Sequence, residues 1–182
     1  FKITEVLEMG PASLGDNIRV GDYLKSIDGV NLNGATNIDE LLNNKIGKMV
    51  TLATTKQPNG QSKNISIRPV NLIAEKNLLY KQWVQQQKAY VNKMSKGRLG
   101  YVHMFDMSAE SLNQLHIDLD ADNHLREGVV VDVRNNNGGF VNSYAIDVLS
   151  RKGYLNATMR GMPTSPGRVF LGQRALDAPT IL

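Results

Sequence analysis

The sequence predicts a small α+β domain followed by part of an α/β core. Residues 1 to 70 consist of short alternating apolar runs separated by tight-turn dipeptides, which is typical of short antiparallel strands. From Leu78 onward, apolar residues at helical spacing alternate with strand-like runs. One such run, Gly128 to Val133, is apolar almost throughout, which favours a parallel strand covered on both faces. We therefore predict a first domain over residues 1–74 and a second over 75–182.

The first domain is expected to begin with strands and tight turns. Its first strand runs from Lys2 to Leu7 and ends at Gly10-Pro11-Ala12. A second strand covers Tyr23 to Ile27 and leads into Asp28-Gly29, a dipeptide typical of tight hairpin turns. Both strands are short, as in many small α+β domains.

A short helix and a hairpin complete this domain. Asn37 suits the N-cap of the helix, Glu40 suits its N3 position, and the helix should end near Asn44. Apolar and polar residues then alternate on both sides of Asn59-Gly60, which predicts a β-hairpin with its turn at that dipeptide.

The second domain is expected to alternate helices with strands. Its elements are, in order, a helix from Leu78 to Gly97, a strand from Leu99 to Met104, a helix capped by Ser108, a strand from Gly128 to Val133, a helix from Val141 to Leu149, a long connection over residues 154–178, and the start of a strand at Pro179 to Leu182. This order indicates the edge of an α/β sheet.

Composition excludes several function classes. The net charge of +4 comes from 21 basic and 17 acidic residues that are interspersed, so the surface does not show the basic cluster of a nucleic-acid-binding protein. The absence of cysteine excludes disulfides, thiolate metal sites and a cysteine nucleophile. No apolar run has the length of a membrane span. The first residue, Phe1, and the last three, Thr180-Ile181-Leu182, lie in strand-like patterns, so we expect a sequence cut at both ends.

The loop Asn135 to Gly139 is the main candidate site. It follows a buried strand, and in α/β sheets ligands bind at the carboxyl ends of the strands. Glycines bring the backbone close to a ligand, so main-chain N–H groups can be donated to an anion. The pattern fits neither a dinucleotide fingerprint nor a phosphate loop, so no cofactor is predicted. Stabilisation of a transient oxyanion is one interpretation, and a tight turn without a ligand is the other.

Two motifs resemble a known family. Asp132-Val133-Arg134-Asn135-Asn136-Asn137-Gly138-Gly139-Phe140-Val141 and Gly97-Arg98-Leu99-Gly100-Tyr101-Val102-His103 resemble the tail-specific and tricorn-type serine peptidases, with the tricorn-like branch the more similar. The resemblance implies a peptide-binding PDZ domain, an α/β core built of crotonase-like ββα units, and hydrolysis of peptide bonds in peptides or proteins. It makes Gly138 the first choice and Gly139 the second for the oxyanion hole. Asn137 departs from the family, which often has a third glycine there.

The resemblance also places the nucleophilic serine and the catalytic histidine outside residues 1–182, so this chain alone is expected to be inactive. A non-catalytic peptide-binding or scaffold protein that keeps the peptidase fold is the alternative. The family occurs in more than one compartment, and an exported, periplasmic location is favoured over a cytoplasmic one. Formation of a homo-oligomer is left open.

The remaining candidates are weaker. A peptide groove is predicted between the first strand and the short helix, with core packing as the alternative for the same five residues, Ile3, Val6, Ile38, Leu41 and Leu42. His103, His116 and His124 match no metal motif, and His103 is interpreted as structural. The alternating Asp118, Asp120 and Asp122 lack the glycine and glutamate of a calcium loop, so no metal site is predicted.

Overall fold

A computed structural model describes residues 1–14, 18–151, 153, 155–167 and 179–181. The chain divides into two compact units, Phe1–Trp83 and Val84–Leu182. Each unit has its own cluster of buried apolar side chains. Over the part of the chain that is described, no helix has both the length and the apolar character that a membrane crossing needs.

The first unit contains a four-stranded antiparallel sheet and a short helix. The strands are β1 Tyr23–Ile27, β2 Val30–Asn31, β3 Val50–Thr55 and β4 Lys63–Ile67, in the order β2-β1-β3-β4, and the helix is α1 Ile38–Leu42. Asn37 caps α1, since its side chain accepts a hydrogen bond from the Asp39 N–H. These elements confirm the predicted second strand, the short helix and the hairpin.

The two predicted turns of this unit differ in outcome. Asp28 and Gly29 both have positive φ, 47° and 82°, which confirms the tight turn between β1 and β2. The turn between β3 and β4 is a different one: Gly60 N–H donates to Gln57 O at 3.0 Å, so Pro58 and Asn59 are its central residues. Proline sets the φ that the first central position requires, and this explains why the turn lies one residue earlier than predicted.

The prediction of a strand from Lys2 to Leu7 is wrong. Only Lys2 forms a bridge, with Tyr23, and Ile3 exchanges backbone hydrogen bonds with Asp22 and Gly21 at 2.7 and 2.8 Å. Ile3 and Val6 both pack against the core of the unit. In a regular strand, residues three apart point to opposite faces, so an extended segment would not bury both.

The second unit is built on a parallel sheet, as predicted. Its strands β5 Leu99–His103 and β6 Gly128–Asp132 pair with β9 Thr180–Ile181 in the order β5-β6-β9. A small antiparallel pair, β7 Asn156–Ala157 and β8 Ser165–Pro166, lies inside the predicted connection.

Three helices complete the second half of the chain. They are α2 Leu72–Met94, α3 Ala109–Ile117 with a π-helical extension over Asp118–Asp122, and α4 Asn142–Ser150. The start of α2 at Leu72 is six residues earlier than the predicted Leu78. The division between the units and the predicted boundary near residue 74 both fall within α2.

The two faces of the parallel sheet have different chemistry, because side chains alternate along each strand. One face is apolar and packs against α3, its extension and α4. The core between them consists of Val102, Met104, Val129 and Val131 from the sheet side, and Leu115, Leu119, Ala145 and Val148 from the helices. Tyr101, His103 and Asp132 alternate with these strand residues and are buried too. The apolar core thus holds the sheet, and the polar face carries groups that can bind the loops at its end.

Candidate active site

The candidate site lies where β5 and β6 end. Because the strands are parallel and His103 pairs with Asp132, the loops that follow them, 104–107 and 133–141, leave the same edge of the sheet. Backbone hydrogen bonds join the two loops: Asn137 N–H donates to Phe105 O at 3.0 Å, Met107 N–H to Gly138 O at 2.8 Å, and Phe140 N–H to Met107 O at 3.0 Å. The second loop is therefore held in place along most of its length.

A buried carboxylate fixes the start of the second loop. Asp132, only 7% exposed, accepts hydrogen bonds from the Tyr101 hydroxyl at 2.8 Å and from the Arg134 backbone N–H at 2.9 Å. The Arg134 guanidinium also lies 2.5 Å from this carboxylate. Hydrogen bonding from Arg134 holds the pKa of Asp132 well below its usual range, and burial, followed by the hydrogen bond to Asp132, raises the pKa of Tyr101.

His103 also contacts this loop. Its Nε2 lies 2.9 Å from the Arg134 carbonyl oxygen, and the side chain is buried. This contact ties the ring to the backbone and agrees with the structural interpretation of His103. Elsewhere, the Nδ1 of His124 lies 3.2 Å from Ala121 O, and no cluster of metal-ligating side chains occurs among the described residues.

The two glycines of the loop differ in what their amides do. Gly138, with φ of 77°, donates its N–H to the side-chain oxygen of Asn136 at 2.8 Å. Gly139 has φ of 141°, is exposed, and its N–H donates to no acceptor among the residues that are described. Of the two glycine amides, that of Gly139 is thus the one without an acceptor among the described residues. The role of either glycine as an oxyanion donor stays a prediction.

Close packing explains why residue 139 is glycine. A Cβ atom at this position would lie 2.3 Å from the Met107 carbonyl oxygen, and at φ of 141° a residue with a side chain is strained. A Cβ at Gly138 would meet no atom within 4 Å. Glycine is therefore required more strictly at position 139 than at position 138.

Sequence reasoning missed the side chains that hold this loop. Asn136 donates its Nδ2–H to Met104 O at 2.9 Å, in addition to accepting from Gly138. Asparagine commonly hydrogen-bonds backbone two residues on, so its position before Gly138 was an available signal. No local signal predicts that Tyr101 meets Asp132, since these residues come from different strands.

The five predicted peptide-binding residues lie together in the first unit. All are half-buried and pack against a core of five buried residues, Ile18, Ile27, Val50, Leu52 and Ile65. These contacts are those of the core-packing alternative. Their use in peptide binding stays a prediction, and it would rely on the part of each side chain that remains exposed.

Two serines lie at the start of a helix or within one. The Oγ of Ser108 accepts a hydrogen bond from the Ser111 N–H at 3.2 Å and caps α3, and Ser143 lies within α4. Neither serine has a histidine partner among the contacts described. Over the described residues, therefore, the loop has a backbone N–H at Gly139 without an acceptor, and neither of these two serines is part of an assembled nucleophile.

Comparison with known proteins relates both units to one family. A family model described as the tricorn protease PDZ domain matches residues 8–71. The tricorn protease homolog of Saccharolobus solfataricus is 37% identical over 142 residues, and tricorn protease homolog 1 of Streptomyces coelicolor is 37% identical over 155. The crystal structure of the tricorn protease matches with a TM-score of 0.71 and 25% identity, covering 98% of this chain and 17% of that one.

The alignments cover most of this chain and only a small part of each relative. The two homologs align with 77% and 85% of this chain, whereas the alignments cover 12% and 14% of their own lengths. The sequence thus spans about one-eighth of the length of the curated proteins that it matches. The second alignment includes both PDZ residues and the glycine loop, since a stretch that covers 85% of a 182-residue chain can omit only residues near its ends.

Proposed function

We propose, since this chain belongs to the tricorn protease family, that it is part of a serine-type peptidase and carries the PDZ domain and the oxyanion loop of that enzyme. The observation that supports this proposal most directly is the N–H of Gly139, an exposed residue in the loop that follows a parallel strand, which has no acceptor among the described residues. Peptide bonds in peptides or proteins are the proposed substrates.

The loop would act on the transition state. A serine hydroxyl attacks the carbonyl carbon of the scissile peptide bond, and the carbonyl oxygen becomes negatively charged as the tetrahedral intermediate forms. A fixed N–H donor stabilises this charge, and one such donor is worth about 3 to 4 kcal/mol in a well-studied protease. The amine then leaves, and water hydrolyses the acyl-enzyme.

The serine and its base belong, in this proposal, to parts of the enzyme outside residues 1–182. An unassisted hydroxyl is a poor nucleophile at neutral pH, so the chain alone should not hydrolyse peptides. The PDZ domain would bind an extended segment of a substrate or partner protein, using the exposed parts of Ile3, Val6, Ile38, Leu41 and Leu42.

Three further features belong to the same proposal. The parallel β5-β6-β9 sheet with α3 and α4 supports a crotonase-like core of ββα units, which a structure of the full-length protein would test. Sedimentation of that protein would test self-association. Cell fractionation would test an exported location.

Labelling with a fluorophosphonate probe tests the catalytic proposal, because the probe reacts only with an activated serine. We expect the full-length protein to be labelled and to cleave fluorogenic peptides, and the chain of residues 1–182 to do neither. A full-length protein that is folded but unlabelled and inactive would contradict the proposal and support the non-catalytic scaffold.

A further inference from the structure

The side-chain amide of Asn136 makes two hydrogen bonds in opposite directions. Its Nδ2 donates to the Met104 carbonyl at 2.9 Å, just beyond the end of β5, and its Oδ1 accepts the Gly138 N–H at 2.8 Å. Asn136 is half-buried, and its own backbone N–H donates to Val133 O at 3.2 Å. One side chain thus links the end of the neighbouring strand to the first glycine of the loop.

We propose that Asn136 is a positioning residue for the oxyanion hole: it occupies the Gly138 N–H and thereby makes Gly139 the donor to the substrate. This inference rests on the proposed peptidase function, because it assigns a role within that site. It also reverses the order of the two glycines that the family resemblance implies.

The contacts on either side of Gly139 support this role. Gly138 is held twice, by Asn136 at its N–H and by the Met107 N–H at its carbonyl, and the next residue, Phe140, donates to Met107 O. The peptide plane between Gly138 and Gly139 includes the Gly138 carbonyl and the Gly139 N–H, which point in opposite directions in a trans peptide. Fixing that carbonyl on Met107 therefore also fixes the direction of the Gly139 N–H.

Replacement of Asn136 by aspartate removes one of its two side-chain hydrogen bonds and keeps the other. The carboxylate keeps an oxygen for Gly138 and loses the donor to Met104 O. It also adds a negative charge three residues before Gly139, and Asn137→Asp adds the same charge two residues before it, so comparing the two variants isolates the loss of the bond to Met104 O. Asn137→Asp is a matched control: the adjacent side chain is exposed, contacts Phe105 O at 3.4 Å, and touches neither glycine amide.

The kinetic experiment compares the two variants in the full-length enzyme. We expect kcat of Asn136→Asp to be roughly 10- to 100-fold below that of Asn137→Asp, with KM values within about twofold of each other, which is less than the loss of a whole donor. The ratio of the two kcat values should move towards one as the pH falls from 7 to 5, because protonation restores both the neutral charge and a donor. Equal kcat values at pH 7, or a change confined to KM, would overturn the role of Asn136.

A second measurement does not depend on catalysis. Amide hydrogen exchange in the 182-residue chain should show Gly138 protected and Gly139 fast, and Asn136→Ala should remove the protection of Gly138 while Asn137→Ala should not. Fast exchange at Gly138 in the unmodified chain would overturn the inference. An inactive full-length enzyme would instead contradict the proposed function, and the exchange data would still decide whether Asn136 holds the loop.

Discussion

The glycine loop of the second unit and the apolar patch of the first unit, Ile3, Val6, Ile38, Leu41 and Leu42, are both candidate binding regions, and they are built differently. In the loop the candidate group is a backbone amide, exposed at Gly139 and held by hydrogen bonds on both sides. In the patch the candidate groups are side chains that already pack against a buried core.

This difference affects what each region can do. A backbone donor takes no side chain from a core, since the loop conformation depends on other atoms, such as Met107 O and the Asn136 amide. An apolar side chain that contributes to the core is available to a ligand only through its exposed part. The loop is therefore suited to an interaction of fixed geometry. In the patch, a stronger contact between these side chains and a ligand would weaken their packing in the core and lower the stability of the fold.

The largest effect is expected for Gly139, the glycine that packs against Met107 and is proposed as the oxyanion donor. Gly139→Ala should destabilise the chain by about 2 to 4 kcal/mol, because strain at positive φ adds to a clash with the Met107 carbonyl. In the full-length enzyme it should lower kcat at least about 100-fold. Urea denaturation and steady-state kinetics would measure the two effects.

Gly138→Ala is the control for that variant. Its φ of 77° is also positive, but no atom lies near the new Cβ, so the expected cost is only about 1 to 2 kcal/mol. Equal losses of stability in the two variants would show that the contact with Met107 is not what distinguishes the glycines.

A smaller effect concerns the carboxylate that holds the start of the loop. Asp132→Asn should cost about 2 kcal/mol at pH 7, since it weakens charge-assisted hydrogen bonds in a buried site. The folded-state pKa of Asp132 is lowered, so its stabilisation is present above the unfolded pKa of about 4 and is lost as the pH falls through the lower folded value. The difference between the two proteins should therefore shrink below about pH 4 in urea denaturation.

Asp147→Asn provides the comparison for Asp132. Asp147 pairs with Arg151 on the surface of α4, so its replacement should change the stability by less than about 0.5 kcal/mol at any pH. If Asp132→Asn changed the stability as little as Asp147→Asn, the contacts of Asp132 with Tyr101 and Arg134 would not be what holds the loop.

The smallest expected effect tests the apolar patch. Ile38→Ala and Leu42→Ala should each lower the free energy of unfolding by about 1 to 2 kcal/mol, because half-buried side chains lose part of the full packing contribution. Ile46→Ala, at a site that is 61% exposed, should be nearly neutral. If the patch variants were also neutral, these side chains would be free to serve a ligand instead of the core.

Local patterns were enough for much of the fold. Asp28-Gly29, the cap at Asn37, the cap at Ser108 and the apolar run of β6 each depend on residues within one turn or one strand, and each was predicted correctly. Alternation along β3 and β4 predicted the hairpin, whereas Pro58 moved its turn. The segment Lys2 to Leu7 was misinterpreted because its burial depends on a distant core.

By itself, the sequence determined most of the elements, the parallel arrangement of the second sheet, and the presence of a glycine loop at its end, because these follow from periodicity and local conformational preference. Only the tertiary structure decided which glycine amide is occupied, since that depends on how Asn136 reaches Met104 from another strand. It also decided that Tyr101 and Asp132 hold the loop. Hydrogen bonds between segments about thirty residues apart have no signature in local sequence, because their geometry exists only after the strands have paired.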